Sequence, residues 1–471
     1  MARRRHHQAV RTWIPSARRE KHLRPGQSDA DVFGCSSMDQ PRPRTALVGA
    51  KLILFGLLIG VACGRWGSYL GISLAGVSIA DMLVLAGVAI YLSSTQYVNL
   101  RGRLVGLYSL CLALVIVVAL YITGTFSSLV LRDAATFVYL LLLPIFISAI
   151  RSLDGQLVRK WLFRALIFHT LWYLPITLGL LKPISLGLIS SVPAFLPRND
   201  FDALVSGLAI VAAFVLGIGR VSARWLLVLG ASVCILANGS RAGFLGALLA
   251  IAVYAVLQRP WQSRKNGPYI ISAVCIGAAI SLVMLAADTL NMEWSKVLRK
   301  LIPSENSDYA SALNTSEARS LAWSRIMRYV EYQDGEILGL GFGTDYIQRS
   351  GAIEFLSGDP SVRQPHNFVV SWYAMLGAAG TLIVLLALGA LLWQAARAYR
   401  ASELEIFGWC VISGVLVASL VGVIMESPFG YSTFVLGIIC ASFSSSKHTE
   451  PTWGDSILWR RPADPRKNAD S

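Results

Sequence analysis

The sequence predicts an all-α polytopic membrane protein with about 12 transmembrane helices and one large, partly helical outer loop. Three observations carry this. Of 471 residues, 55% are hydrophobic and 15% charged, against about 25% charged in soluble domains. Mean hydropathy is +0.56. Apolar runs near the ~20 residues that cross a bilayer recur along the chain, and Lys and Arg are concentrated in alternate connections. This composition excludes a disordered chain, a disulfide scaffold and a cytosolic enzyme.

Residues 1–45 are basic, contain Pro and Ser and show no apolar periodicity, so a disordered cytoplasmic tail is expected. The tail is too long for the n-region of a signal peptide, and Met38 offers a second translation start. Spans are expected near 46–64, 74–94, 104–124, 134–150, 161–181, 201–219, 224–238, 241–257 and 268–287, and, after the outer loop at 288–366, near 367–394, 408–425 and 429–444. A second cytoplasmic tail occupies 445–471. Gly60-Val61-Ala62-Cys63 resembles a lipoprotein cleavage site only loosely, and cleavage there would remove the first span.

Orientation follows from the basic residues. With the N-terminus inside, segments 1–45, 95–103, 151–160, 220–224, 258–267, 395–407 and 445–471 hold 27 Lys and Arg. The short outer connections hold only Arg65, Arg132, Lys182, Arg198 and Arg241. Both termini are therefore expected inside. The net charge of +15 is then mainly a topology signal, and a nucleic-acid partner is excluded.

The loop at 288–366 is too long to be structureless and should fold as a small cap. Asn314, with Glu317 three residues on, reads as a helix start, and apolar residues at 322, 326, 327 and 330 give that helix one buried face. Gly339-Leu-Gly-Phe-Gly343 should then form a tight, exposed backbone segment. It follows no strand of a βαβ unit, so it is not read as a nucleotide loop. The seven cysteines form no CxxC pair, and those in or beside apolar runs read as buried free thiols. No metal-binding motif appears.

Candidate chemistry is confined to a few residues. Arg241, in the turn Asn238-Gly-Ser-Arg241, places a guanidinium at the outer interface against the charge bias. It either snorkels there or binds an anion through its fixed fork of donors. Arg132 and Arg198 occupy similar places. Arg319, in the first turn of the loop helix, could equally belong to a solvated face. His169 lies within a span and reads as a hydrogen-bonded core residue. His366 stands where the outer loop re-enters the membrane, at a helix N-terminus that disfavours imidazolium, so it is either a helix cap or a neutral base at pH 7.

At His366 these features converge. His366-Asn367, nine residues, then Gly377-Ala-Ala-Gly380 resembles the HN-x9-GxxG signature of bacterial O-antigen ligases and the related polymerases. Asn238-Gly-Ser-Arg241-Ala-Gly resembles the family's upstream Ser-Arg-Gly turn. Arg319 with Trp323 and Gly339–Gly343 is similar to its R-x3-W … GxGxG segment, and Asn199 matches an Asn opening the span before. The resemblance is strongest over about 200–445 and only topological before that.

The resemblance implies a GT-C-like fold and metal-independent, inverting glycan transfer at the periplasmic face of the inner membrane, with no cofactor. The donor would be a polysaccharide on undecaprenyl pyrophosphate. The acceptor would be a sugar hydroxyl of lipid A core in a ligase, or another lipid-linked glycan in a polymerase. Arg241 and Arg319 would hold the pyrophosphate, with Arg198 and Arg132 in lesser roles. His366 would be the general base, and Asn367, Gly377 and Gly380 would support it. Membrane lipids are the remaining partners. A lipid-linked glycan flippase, the competing class, should carry polar residues through mid-membrane and show two similar halves, and neither is visible here. A non-catalytic scaffold would leave the His–Arg set unexplained.

Overall fold

The computed structural model describes residues 43–71, 77–94, 103–125, 127–187, 190, 192–218, 221–238, 240–258, 308–356 and 364–443. Among them are fourteen helices and no strand, with one isolated antiparallel bridge between Ile184 and Ala194. In chain order they are α1 (Arg44–Ser68), α2 (Ile79–Ser94), α3 (Arg103–Thr123), α4 (Ser128–Ile150), α5 (Gly155–Thr177), α6 (Asn199–Val215), α7 (Val221–Ala237) and α8 (Arg241–Gln258). There follow α9 (Asp308–Tyr332), the single turns α10 (Tyr346–Arg349) and α11 (Ile353–Leu356), then α12 (Phe368–Arg397), α13 (Glu403–Val421) and α14 (Pro428–Ala441).

Eleven of the twelve expected spans overlap one of these helices; the span at 268–287 lies outside the described residues, as do residues 1–42, with Met38 and Cys35, and the tail at 445–471, while α1 begins at Arg44 inside the tail expected over 1–45. Five helices, α1, α3, α4, α12 and α13, are long and apolar enough to cross a membrane by themselves, and four more are apolar but shorter. The chain is a multi-pass membrane protein. On α3, Leu107, Leu110, Leu114 and Val117 form an exposed apolar stripe at helical spacing, a surface that lipid and not water would cover.

Local capping moves several boundaries from where hydropathy puts them. The Ser127 side chain accepts the Val130 N–H, so α4 starts at Ser128 and Arg132 lies inside it, not in a connection. Asp154 accepts from the Gln156 N–H and starts α5 before its apolar run begins. Ser402 and Glu405 form a reciprocal capping box at the head of α13. The loop helix α9 already runs from Asp308, so Asn314 lies within it and does not begin it. Its face is buried at Ala322, Ile326 and Val330, whereas Met327 is 45% exposed and belongs to the outer side.

Small residues set the helix packing. α1 packs along α2, where a Cβ on Gly49 would stand 2.7 Å from the Gly87 carbonyl oxygen. α6, α8 and α13 pack on one another, and α14 joins α13 to α1 and α4. The Tyr108 hydroxyl of α3 donates to the Leu140 carbonyl of α4 at 2.8 Å. The described cysteines are all free; Cys234, Cys410 and Cys440 are buried, and Cys63 and Cys111 partly so. His169 is fully buried on α5, with Nε2 3.7 Å from Asp202 Oδ1 of α6, beyond hydrogen-bond distance.

One device positions everything that follows. α12 is broken at Gly377, whose φ of 66° and ψ of −175° no helical residue adopts. The break frees backbone groups on both sides, and the Gly-rich run fills them. The Leu340 and Gly341 N–H groups donate to the carbonyls of Ala374 and Met375 at 2.9 and 3.1 Å. In return the Ala378 and Ala379 N–H groups donate to the carbonyls of Glu336 and Ile337 at 2.7 and 3.1 Å. A Cβ on Gly377 would lie 2.3 Å from the Ile337 oxygen, and one on Gly339 2.3 Å from that of Met375. The segment expected to be exposed is therefore buried at Gly339 and Gly341. The two glycine motifs are each other's partners.

Candidate functional site

Three helix ends meet beneath the loop domain. Asn238 Nδ2 donates to the Asn199 carbonyl at 2.6 Å and to the Tyr173 hydroxyl, tying the turn before α8 to the first residue of α6. Ser240 accepts the Gly243 N–H and so caps α8, which makes Arg241 its first residue. Gly243 is small because a Cβ there would strike the Asp200 carbonyl at 2.4 Å. Gly422, just after α13, would bring a Cβ to 3.1 Å from both Asp200 Oδ2 and Ala242 Cβ. The heads of α6 and α8 and the end of α13 thus touch. The Arg241 backbone is fixed at that junction; its side chain lies outside the described residues.

Arg198 immediately precedes α6. Its backbone N–H donates to Asp202 Oδ2 at 2.6 Å, and its Nε donates to Asp200 Oδ1 at 2.9 Å. The guanidinium remains 30% exposed and is held by the carboxylate two residues on. Arg319 lies in the interior of α9 and not in its first turn, because the helix already begins at Asp308; from there it reaches across to donate from a terminal nitrogen to the Val421 carbonyl at 3.0 Å. An α-helix leaves its last carbonyls without intrahelical partners, and Arg319 satisfies one at the end of α13.

His366 occupies a left-handed backbone conformation with φ of 59°, uncommon for a residue other than glycine. Two contacts hold it. The Trp323 indole N–H of α9 donates to the Pro365 carbonyl at 2.7 Å. Asn367 caps α12, its Oδ1 accepting the N–H groups of Val369 and Val370. Arg319 and Trp323 are one turn apart on α9, so the same helix brings a guanidinium to α13 and clamps the segment carrying His366. Burial pushes the His366 imidazole down to about 4, the charges of Arg319 and Arg198 add to this, and Asp200 opposes it. The neutral form expected from the helix terminus is thus present, with burial and the two arginines as its causes.

Arg132 stands slightly apart. It donates to Asp133 Oδ1 at 3.0 Å and is more than a third exposed. With Asp133 it lines a narrow cleft whose other walls include Gln364, Trp372 and Glu426. Asp133 Oδ2 also accepts the Gly343 N–H, which fastens α4 to the Gly-rich run. Glu426, in the connection between α13 and α14, gives no signal in the sequence: it is one acidic residue in no motif. Its carboxyl is buried, and burial raises its proton affinity well above the usual carboxylate range, with Arg198 opposing this and Asp200 reinforcing it. Arg198, Asp200, Arg319, His366 and Glu426 therefore share one electrostatic environment. Gly380 lies on α12 one turn beyond the break and packs near Val115 of α3. Among the described residues no group of His, Cys, Asp and Glu could hold a metal ion.

Five helices long and apolar enough to cross a membrane define a polytopic membrane protein, and one group of helix ends brings Arg198, Arg319 and His366 together. Residues 225–385 match the model of the O-antigen ligase family. That segment contains Arg241, Arg319, Trp323, both glycine motifs and the His366-Asn367 pair; Arg132, Arg198 and Glu426 lie outside it. No curated protein matches the chain.

Proposed function

We propose that the protein transfers a polysaccharide from undecaprenyl pyrophosphate to a sugar hydroxyl of lipid A core at the periplasmic face of the inner membrane. The observation that carries this reading is the convergence of Arg198, Arg319 and His366 at the junction that also fixes Arg241, within and beside the segment that matches the O-antigen ligase family. The acceptor hydroxyl gives its proton to neutral His366 as its oxygen bonds to the anomeric carbon. The bond from that carbon to the phosphate oxygen breaks on the opposite face, so the configuration inverts. Charge then accumulates on the departing pyrophosphate, where guanidinium donors are most useful. Arg241 and Arg319 take this role, with Arg198 and Arg132 as weaker contributors. No metal ion is needed, because the guanidinium groups supply the positive charge.

A polymerase would use the same residues and differ only in acceptor, another lipid-linked repeat. Disrupting the gene separates the two. Loss of long chains from lipid A with lipid-linked polymer accumulating marks a ligase, and single repeats on the core mark a polymerase.

Two measurements test the assignment directly. Arg319→Lys keeps the charge and loses the planar fork, so transfer by the purified protein should fall about 30- to 1,000-fold, the equivalent of roughly 2–4 kcal/mol at the transition state. Arg241→Lys should behave likewise, and near-normal turnover by both would leave these arginines only interfacial. For topology, a cysteine at the exposed position of Ser320 should react with an impermeant thiol reagent in intact spheroplasts, while Cys35 should not. Labelling of Cys35 alone would reverse the orientation.

A further inference from the structure

Among the described residues, Glu426 is a buried ionisable group beside the candidate base that the reaction above does not use. Both of its carboxyl oxygens are buried at the edge of the cleft, and neither has a hydrogen-bond partner of ordinary geometry. The hydroxyl nearest in the network, Ser371, is already committed. It donates to Gln364 Oε1 at 3.0 Å and shares a 2.9 Å hydrogen bond with the Tyr346 hydroxyl, which is itself within 3.5 Å of Gln364. Ser371 is also the one hydroxyl that eases the burial of the Glu426 carboxyl, and with its other bonds in place it can satisfy at most one of the two carboxyl oxygens. A buried carboxyl left in this state destabilises the fold, and such deficits persist where a ligand completes them.

The surroundings say what kind of ligand. Glu426 lines the narrow cleft with Arg132 and Asp133 of α4, Gln364 and Trp372, and the floor has room for a single hydroxyl or water. The set mixes acceptors (Asp133, the Gln364 oxygen) with donors (Arg132, the Gln364 amide). A phosphate would be repelled by Asp133, and a cation by Arg132. An alcohol group, which donates and accepts at once, satisfies both. Gln364 is two residues before His366, and Glu426 and His366 both feel Arg198 and Asp200, so the cleft adjoins the candidate base.

We propose that Glu426, with Gln364 and the Arg132–Asp133 pair, forms a subsite that takes one hydroxyl of a sugar ring and thereby selects the sugar placed beside His366. This deepens the transferase reading and rests on it for the identity of the glycan, but the subsite itself can be tested without turnover. The acceptor sugar and the sugar joined to pyrophosphate both carry such a hydroxyl, and the experiment below separates the two.

The test uses full-length protein in lipid nanodiscs, with wild type, Glu426→Gln and Glu426→Ala compared. In saturation-transfer NMR against methyl pyranosides of gluco, galacto and manno configuration, at least one should contact the wild type. That signal should fall at least fivefold in Glu426→Ala. Melting temperatures of both variants should equal or exceed that of wild type, because an unpartnered carboxyl has been removed; a lower melting temperature for both would make Glu426 a structural residue and overturn the proposal. In the transfer assay, a KM at least tenfold higher in Glu426→Gln with kcat within about threefold supports the subsite. A rise confined to the acceptor assigns the acceptor sugar, and one confined to the lipid-linked donor assigns the donor sugar. Collapse of kcat at unchanged KM, or no pyranoside contact with the wild type, overturns it. If the wild type binds a pyranoside through Glu426 yet transfers nothing, the transferase reading fails and the subsite stands.

Discussion

His366→Ala is expected to abolish measurable transfer while the protein still inserts, folds and binds donor. A sugar hydroxyl is a poor nucleophile near neutral pH unless its proton is removed as the new bond forms, and a positioned base is worth about 10²–10⁴-fold in rate. His366 is the only described histidine at this end, because His169 is sealed inside the helices. Its imidazole is held down to about 4 by burial and by Arg319 and Arg198. Since kcat/KM reports the free enzyme, its acid limb should fall near pH 4 and the profile should be flat from about pH 5.5 upward. Bound pyrophosphate would offset the two guanidinium charges, so the acid limb of kcat should lie at higher pH than that of kcat/KM. Arg319→Gln removes one of the depressing charges and should move the kcat/KM limb upward. Wild-type turnover by His366→Ala, measured with purified donor and acceptor, would place the base elsewhere, though the arginine assignments could survive it.

Gly377→Ala is expected to lose most of the folded protein. The ψ of −175° at positive φ is a region that only glycine occupies without strain, at a cost of about 1–3 kcal/mol for other residues. The added Cβ would also meet the Ile337 carbonyl at 2.3 Å. Relieving that clash means giving up the four backbone hydrogen bonds that join 336–341 to the broken helix, each contributing about 1 kcal/mol. Against a total stability of about 5–15 kcal/mol this is a large fraction. Gly389→Ala on the same helix is the control, since nothing lies within 4 Å of its added Cβ and the backbone there is helical. Detergent-solubilised yield and melting temperature should separate the two variants, and equal behaviour would remove the strained break from the architecture.

Much of this molecule was legible before any coordinates. Hydropathy located eleven helices because burial in lipid demands apolar runs of a definite length, and that constraint acts on the chain locally. The helix ends were less legible. Ser127 and Asp154 start α4 and α5 well before their apolar runs, because one side-chain oxygen accepting one N–H decides a boundary that average hydropathy cannot register. Asn314 offered the same signature for α9 and did not begin the helix, which runs from Asp308.

For the site, a helix terminus and guanidinium groups against the charge bias made His366, Arg241 and Arg198 candidates in one dimension, each with a structural reading beside it. The resemblance to the O-antigen ligases, not residue type alone, favoured them together with Arg319. Their proximity was not legible, because it depends on α6, α8 and α13 meeting at small residues such as Gly243 and Gly422. The glycine motifs show the difference most clearly. Read along the chain, Gly339–Gly343 was a tight exposed turn and Gly377 a supporting residue; in three dimensions they form one buried hydrogen-bonded joint. Glu426 carried no signal at all, for its significance lies in what surrounds it. Sequence by itself determined the membrane class, most of the helices and the chemical types available, because these follow from transfer free energies and side-chain chemistry residue by residue. Tertiary structure alone decided which charges share a field, which carboxyl is left unpartnered and which glycine cannot be replaced, because each depends on distances between segments far apart in the chain.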